Sequence, residues 1–192
     1  LFGTTSGGGA DNDGTVFSIN EDGSGFQLLH SFTGYPTDGK TVTGGLALVG
    51  STLYGTTYTG GVNNWGTLFS LNTNGSNYQT LHNFGTDVLD GESPDGPLTA
   101  VGSTIYGTTL FGGSKGAEGT VFAINADGSG FQVLHSFSGP DGGEPVNSLT
   151  LVLKQANQAA FCGGVFVLGD GAMPAAGRVG RRQGEWGCRI GR

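Results

Sequence analysis

The chain has 192 residues, 40 of them glycine, and a formal net charge of −7. That length supports one domain or part of a larger protein, and the glycines lack the every-third spacing of collagen. Residues 1–150 carry thirteen acids against two lysines, a balance that argues against nucleic acid or anionic membrane as a partner, and no signal-peptide, lipid-attachment or membrane-spanning pattern is readable in these residues.

In chain order, the first elements are short apolar segments between glycines. Phe2-Gly3-Thr4-Thr5 and Gly14-Thr15-Val16-Phe17 read as strands, and Phe26 to Phe32 as another. The same blocks then return. Phe2-Gly3-Thr4-Thr5 becomes Tyr54-Gly55-Thr56-Thr57 and Tyr106-Gly107-Thr108-Thr109, while Leu29-His30-Ser31-Phe32 becomes Leu81-His82-Asn83-Phe84 and Leu134-His135-Ser136-Phe137. Self-similarity with a period of about fifty residues signals stacked supersecondary units.

The second unit gives the clearest pattern. Leu46–Val49, Thr52–Tyr58, Gly66–Asn72 and Tyr78–Phe84 are expected strands, with Asn74-Gly75 as a hairpin turn and Gly85 to Pro97 as a loop. Thr67, Phe69 and Leu71 share one face. Strict alternation would also put Phe26, Leu28, His30 and Phe32 on one face of the first unit. Small residues in the Gly-Thr-Thr strand suggest close approach of neighbouring sheets. Four short strands per unit, apolar on both faces, predict an all-β chain of tandem antiparallel sheets in a β-propeller-like array.

The expected divisions are 1–45, 46–97 and 98–148, with arbitrary phase, inside a repeat region of 1–153. A closed propeller takes about four to eight blades. Three units, and a beginning at Leu1 inside a motif without Met, lead us to expect an incomplete propeller from a protein with further repeats. Past Leu149 the motif fails: Asn157-Gln158-Ala159-Ala160 stand where Tyr-Gly-Thr-Thr is due, although Gly163-Gly164-Val165-Phe166 partly matches the Gly-Thr-Val-Phe strand. Residues 154–192 hold all five arginines and read as a degenerate fourth unit with a disordered or non-native tail.

Taken together, Tyr-Gly-Thr-Thr, then Gly-Gly, then Gly-Thr-Val-Phe-x-Ile-Asn-x-Asp-Gly-Ser-Gly-Phe, then Leu-His-Ser-Phe resemble the bacterial tandem repeat called GloVer, named for the Gloeobacter and Verrucomicrobia proteins that carry it. The closest local matches are Tyr106–Phe137 and Tyr54–Phe84, and the resemblance runs from residue 1 to about 150. It implies an extracellular or cell-surface bacterial protein and transfers no catalytic residue.

Candidate sites are few. His30, His82 and His135 occupy one repeat position, where three imidazoles around an axis could hold zinc; alternation with Leu and Phe favours packing instead. Asp11-Asn12-Asp13-Gly14 resembles half of a calcium loop without its closing Glu. The acidic turns Asp87–Asp95 and Asp141–Glu144 read as solvated turns, with weak ion sites as the other reading. Asn20–Gly25, Asn72–Asn77 and Asn125–Gly130 read as turns whose side chains bond their own backbone. Tyr54, Tyr58, Trp65, Tyr106 and Phe111 offer stacking surfaces or core packing. No catalytic, cofactor-binding or metal-ligating residue is assigned. The expectation is a non-enzymatic scaffold that is structural or binds carbohydrate or another surface protein, without direct membrane insertion. The alternative is part of a propeller-type polysaccharide lyase or glycoside hydrolase, which needs a pair of spaced carboxylates; a purely structural spacer is a third class.

Overall fold

The structure, a computed structural model, describes residues 1–87, 89–114 and 118–152. Three antiparallel sheets follow one another. The first is β1 (Phe2–Thr5), β2 (Thr15–Ser18) and β3 (Gln27–Ser31). The second is β4 (Gly39–Val42), β5 (Ala47–Val49), β6 (Thr52–Gly60), β7 (Thr67–Asn72) and β8 (Gln79–Asn83). The third repeats the second as β9 (Gly91–Pro94), β10 (Thr99–Val101), β11 (Thr104–Gly112), β12 (Thr120–Asn125) and β13 (Gln132–Ser136). The fourth-unit and tail reading at 154–192 lies outside the described residues.

The fold is all-β, as its β-branched and aromatic runs between turn glycines dictate. Among the described residues the sheets do not close into a barrel. They stack face to face in chain order as an open, propeller-like array of tandem, roughly four-stranded units. One core lies between the first and second sheets, built from Val16, Phe32, Val42, Leu53, Phe69 and Leu71. The other lies between the second and third, with Tyr54, Leu68, Phe84, Leu98, Ile105, Phe122 and Ile124. Adjacent residues of the second sheet therefore serve opposite cores: Leu53 and Phe69 one, Tyr54 and Leu68 the other. A side chain of this size contributes about 1.5–3 kcal/mol when fully buried, so a unit with a solvent-facing sheet side would forgo much of its stability.

Two expectations need correction. The loop Gly85 to Pro97 contains a strand, β9, and its counterpart β4 opens the second sheet. Each pairs with the second half of a long strand, β6 or β11, whose first half pairs with β5 or β10. Strand β4 therefore belongs to the second sheet although it precedes residue 46, and β9 likewise precedes residue 98. The reason is steric rather than propensity. A Cβ on Gly91 would collide with the buried Thr109 side chain, and one on Gly39 with Thr57.

The second correction concerns the faces of β3. The pairing of β2 with β3 shifts between Val16 and Phe17, which face His30 and Leu28 and leave Leu29 as the extra residue of a bulge. The same shift recurs at Leu81 and Leu134. A bulge re-aims the residues beyond it. Phe26 and His30 consequently serve opposite sides of their sheet, as their counterparts show: Tyr78 reaches back to the first sheet, whereas His82 and Phe84 reach forward to the third. The Gly-Thr-Thr strands do lie close to the next sheet, β1 against β4 and β6 against β9, and Gly3, Gly55 and Gly107 have a second role within their own sheets. Each seats the ring of its cross-strand partner, with a Cβ falling 2.5 Å from Cζ of Phe17, Phe69 or Phe122 respectively. The glycine accommodates a phenyl within its own sheet.

Backbone hydrogen bonds also tie consecutive sheets. Thr41, Ser93 and Glu144 share one repeat position, and all have φ near +50°. In Thr41 and Ser93 this turns the N–H out of β4 and β9 to the carbonyls of Asp13 and Trp65 in the preceding unit, at 2.9 and 2.8 Å, while the Glu144 N–H, past the last described strand, reaches the Glu118 carbonyl of the third unit at 2.8 Å. No helix among the described residues is long and apolar enough to cross a membrane.

Candidate functional site

The turn between β1 and β2, the link from β3 to β4, and the turn between β6 and β7 meet around an open cleft of about 670 Å³. Asp13, Thr33, Tyr35, Lys40, Thr59, Asn63 and Asn64 line it. Each is fixed by the frame beneath. Lys40 lies on β4, and its Nζ is 2.8 Å from Oδ1 of the nearly buried Asp13. Gly34 leaves the space that the Asp13 carboxylate fills. Asn64 accepts the Gly60 N–H at 3.0 Å, and Asn63 donates through Nδ2 to the Gly85 carbonyl at 2.7 Å. The Tyr35 ring is 61% exposed at the margin.

The repeats diverge at this point. Asp13 is replaced by Trp65 and Glu118 in the later units, and Lys40 by Glu92 and Gly143. Turns on a constant frame are where a repeat fold can vary its contacts without disturbing packing. The cleft combines an ion pair without net charge, hydroxyls, amides and an exposed aromatic ring. Such a set can donate to and accept from a ligand rich in hydroxyl groups, and stack on an apolar ring face.

The three histidines do not converge. His30 Nε2 is 3.0 Å from Asp38 Oδ2, His82 is 2.9 Å from Asp90, and His135 is 2.9 Å from Asp141. The His30 ring stacks on Tyr78 of the next sheet, with centroids 3.7 Å apart and planes 8° from parallel. His82 stacks on Phe131 at 3.7 Å and 9°. Burial alone would push the Asp38 carboxyl up, but hydrogen bonds from His30, Tyr78 and the Gly39 and Thr33 backbone outweigh it and hold it below the usual carboxylate range. An ionised carboxylate only accepts, so Nε2 of His30 carries a proton. The Tyr78 hydroxyl is pushed well above its ordinary value, first by burial and then by its bond to Asp38. His30 and His82 are packing histidines oriented by a carboxylate, and His135 holds its carboxylate on an exposed face. Sequence reading missed their partners, although Asp38, Asp90 and Asp141 recur eight, eight and six residues downstream.

The remaining candidates resolve into local structure. In the half calcium loop, Asp13 faces the Lys40 ammonium and Asn12 accepts the Gly8 N–H at 2.9 Å. Among the described residues no group of three His, Cys, Asp or Glu could hold a metal ion. In the first acidic turn Asp87 accepts the Leu89 N–H and Asp90 the Gly91 N–H. The Asn-rich turns behave as expected, with one network built three times. Ser24, Ser76 and Ser129 donate N–H and O–H to Asp22, Asn74 and Asp127, and Asn20, Asn72 and Asn125 donate to the same serines. Those bonds from Ser24 and Ser129 lower the acidities' midpoint of Asp22 and Asp127 below the ordinary value. Tyr54 is core, donating its O–H to the Ala126 carbonyl at 3.0 Å. Tyr58, Tyr106 and Phe111 are half-buried, and Trp65 remains exposed beside Gly85.

Comparison with known proteins adds three findings. The Gloeobacter/Verrucomicrobia repeat model matches residues 1–171, and that family occurs in bacterial surface and secreted proteins. Of 21 solved chains that match, the tricorn protease aligns at 14% identity and a TM-score of 0.42, over 68% of this chain and 10% of that one. No curated protein matches.

Proposed function

This chain belongs to the Gloeobacter/Verrucomicrobia repeat family, and on that premise we propose that it is a non-enzymatic scaffold that binds neutral carbohydrate at the cleft between its first and second sheets. The observation that supports this reading is the cleft's lining. Tyr35 offers a ring face, Thr33, Thr59, Asn63 and Asn64 offer neutral polar groups, and the Lys40–Asp13 pair offers a donor and an acceptor with no net charge. Sugars present that combination of hydroxyl edges and apolar C–H faces. The acidic balance of residues 1–150 disfavours anionic polymers. The repeat region is taken as residues 1–153, in three units of arbitrary phase, with β4 and β9 joining the sheets that follow them, and other surface proteins and further repeats of the chain are its other proposed partners.

Affinity electrophoresis against a panel of neutral and anionic polysaccharides tests the reading. At least one neutral polymer is expected to retard the chain, and Tyr35→Ala and Asn63→Ala are expected to reduce that retardation. If no neutral polymer retards it, or both variants run like the parent, the proposal is wrong.

A further inference from the structure

The cleft lies over the seam where the first and second sheets stack, and the second and third sheets stack along an equivalent seam. The repeat carries the lining positions of the first seam over to the second. The cross-strand pair Lys40 and Thr59 becomes Glu92 and Phe111, and Asp13 becomes Trp65. The Ser93 N–H of β9 bonds to the Trp65 carbonyl at 2.8 Å, which sets Trp65 at the boundary of the second and third sheets. Gly85, with φ of +69°, leaves the space that the indole fills, since a Cβ there would fall 2.7 Å from Cδ1. Trp65 is therefore held by its backbone and by one glycine, yet its side chain is 44% exposed. One turn joins the two seams. Asn63 and Asn64 line the cleft, Trp65 follows them directly, and both the Asn63 amide and the Trp65 indole rest on Gly85.

Building on the carbohydrate reading of the cleft, we infer that the binding surface continues across the β6–β7 turn to Trp65, so that the ligand is a stretch of a neutral polysaccharide held at two unlike subsites. In the second subsite Trp65 offers the ring face, Glu92 accepts from hydroxyl groups, and Phe111 adds apolar surface beside it. The exchange of Lys40 for Glu92 puts a carboxylate there, which disfavours acidic sugars. Stacked sheets lie about 10 Å apart, so equivalent positions on adjacent sheets are separated by more than one sugar ring. A monosaccharide reaches one subsite, while a chain of several sugars reaches both and gains from the linked contacts.

Affinity electrophoresis of the full chain in gels containing galactomannan, xyloglucan, glucomannan or dextran tests this. Trp65→Ala is expected to weaken retardation by the polymer that binds by about three- to tenfold, as Tyr35→Ala does, while Trp65→Tyr, which keeps a ring, stays close to the parent. Fluorescence gives a second reading. The chain has two tryptophans, so in Trp186→Phe the emission reports Trp65 alone. A hexasaccharide of that polymer is expected to shift this emission and to bind at least about tenfold more tightly than the monosaccharide. If Trp65→Ala runs like the parent while Tyr35→Ala loses retardation, the first cleft stands and the second subsite falls. An unmoved Trp65 emission, or a monosaccharide that binds as tightly as the hexasaccharide, has the same consequence. If no polymer retards the parent, the carbohydrate reading fails and the second subsite with it. Should Trp65→Ala lose the circular dichroism of the parent, the fluorescence titration decides alone.

Discussion

Tyr78 and Phe26 occupy one repeat position in different surroundings, so truncating each measures what the seam contributes. The Tyr78 ring lies 3.7 Å from the His30 ring, within 6.0 Å of Phe32 and 5.9 Å of Phe69, and its hydroxyl donates to Asp38. Removing a fully buried aromatic ring costs about 3–5 kcal/mol. Tyr78 retains some exposure, so Tyr78→Ala should cost about 2–4 kcal/mol. Tyr78→Phe keeps the stack and removes only the hydroxyl. Asp38 still accepts from Gly39, Thr33 and His30, and Phe131 occupies this position in the third sheet, so the expected loss is about 1–2 kcal/mol. Phe26→Ala, with no histidine over it, should cost about 1 kcal/mol or less. Urea denaturation followed by circular dichroism at low micromolar protein gives all three values. If Tyr78→Ala and Phe26→Ala proved equally mild, the stacked seam would not be holding the first and second sheets together.

Two further outcomes follow from buried polar groups. Asp38 has a lower proton affinity folded than unfolded, so its contribution is complete above the unfolded midpoint near about 4 and is lost as pH falls through the folded one. Urea midpoints at pH 6, 4 and 3 should therefore fall less steeply in Asp38→Asn than in the parent; parallel curves would remove Asp38 from the account. Thr56 and Thr57 are adjacent and buried but should respond with opposite sign. The Thr57 hydroxyl meets that of Thr67 at 2.8 Å and accepts the Thr67 N–H at 3.1 Å, so Thr57→Val should cost about 1–3 kcal/mol. The Thr56 hydroxyl has no partner among the described residues, so Thr56→Val should be neutral or stabilise by up to about 1 kcal/mol. Thermal melts of both variants check this, and equal losses would contradict the assignment.

The sheets were largely legible in the sequence because apolar alternation and turn glycines coincide in every unit. The expected strands Leu46–Val49, Thr52–Tyr58, Gly66–Asn72 and Tyr78–Phe84 correspond to β5 through β8, with ends differing by a residue or two. Strands β4 and β9 were not legible. Gly-Glu-Ser-Pro has little strand propensity and Gly-Lys-Thr-Val offers only two β-branched residues beside turn residues, and what places them is contact with Thr57 and Thr109 and the inter-sheet bonds of Thr41 and Ser93. The bulge at Leu29 was hidden because both phases of that strand carry apolar residues, so alternation could not reveal the change of side. The cleft could not be read at all. Asp13, Tyr35 and Asn63 come from three separate links and Lys40 from β4, and only the stacking of two sheets brings them together.

The claim beneath all of this is that the units share one antiparallel strand frame and hide apolar faces against one another through matched aromatic seams. Nuclear Overhauser contacts between ring protons of different units test it most directly. Strong cross-peaks are expected between His30 and Tyr78 and between His82 and Phe131, whose ring centroids are 3.7 Å apart. Spectra that lack both, or that join His30 to His82 or His135 around a common centre, would contradict the arrangement.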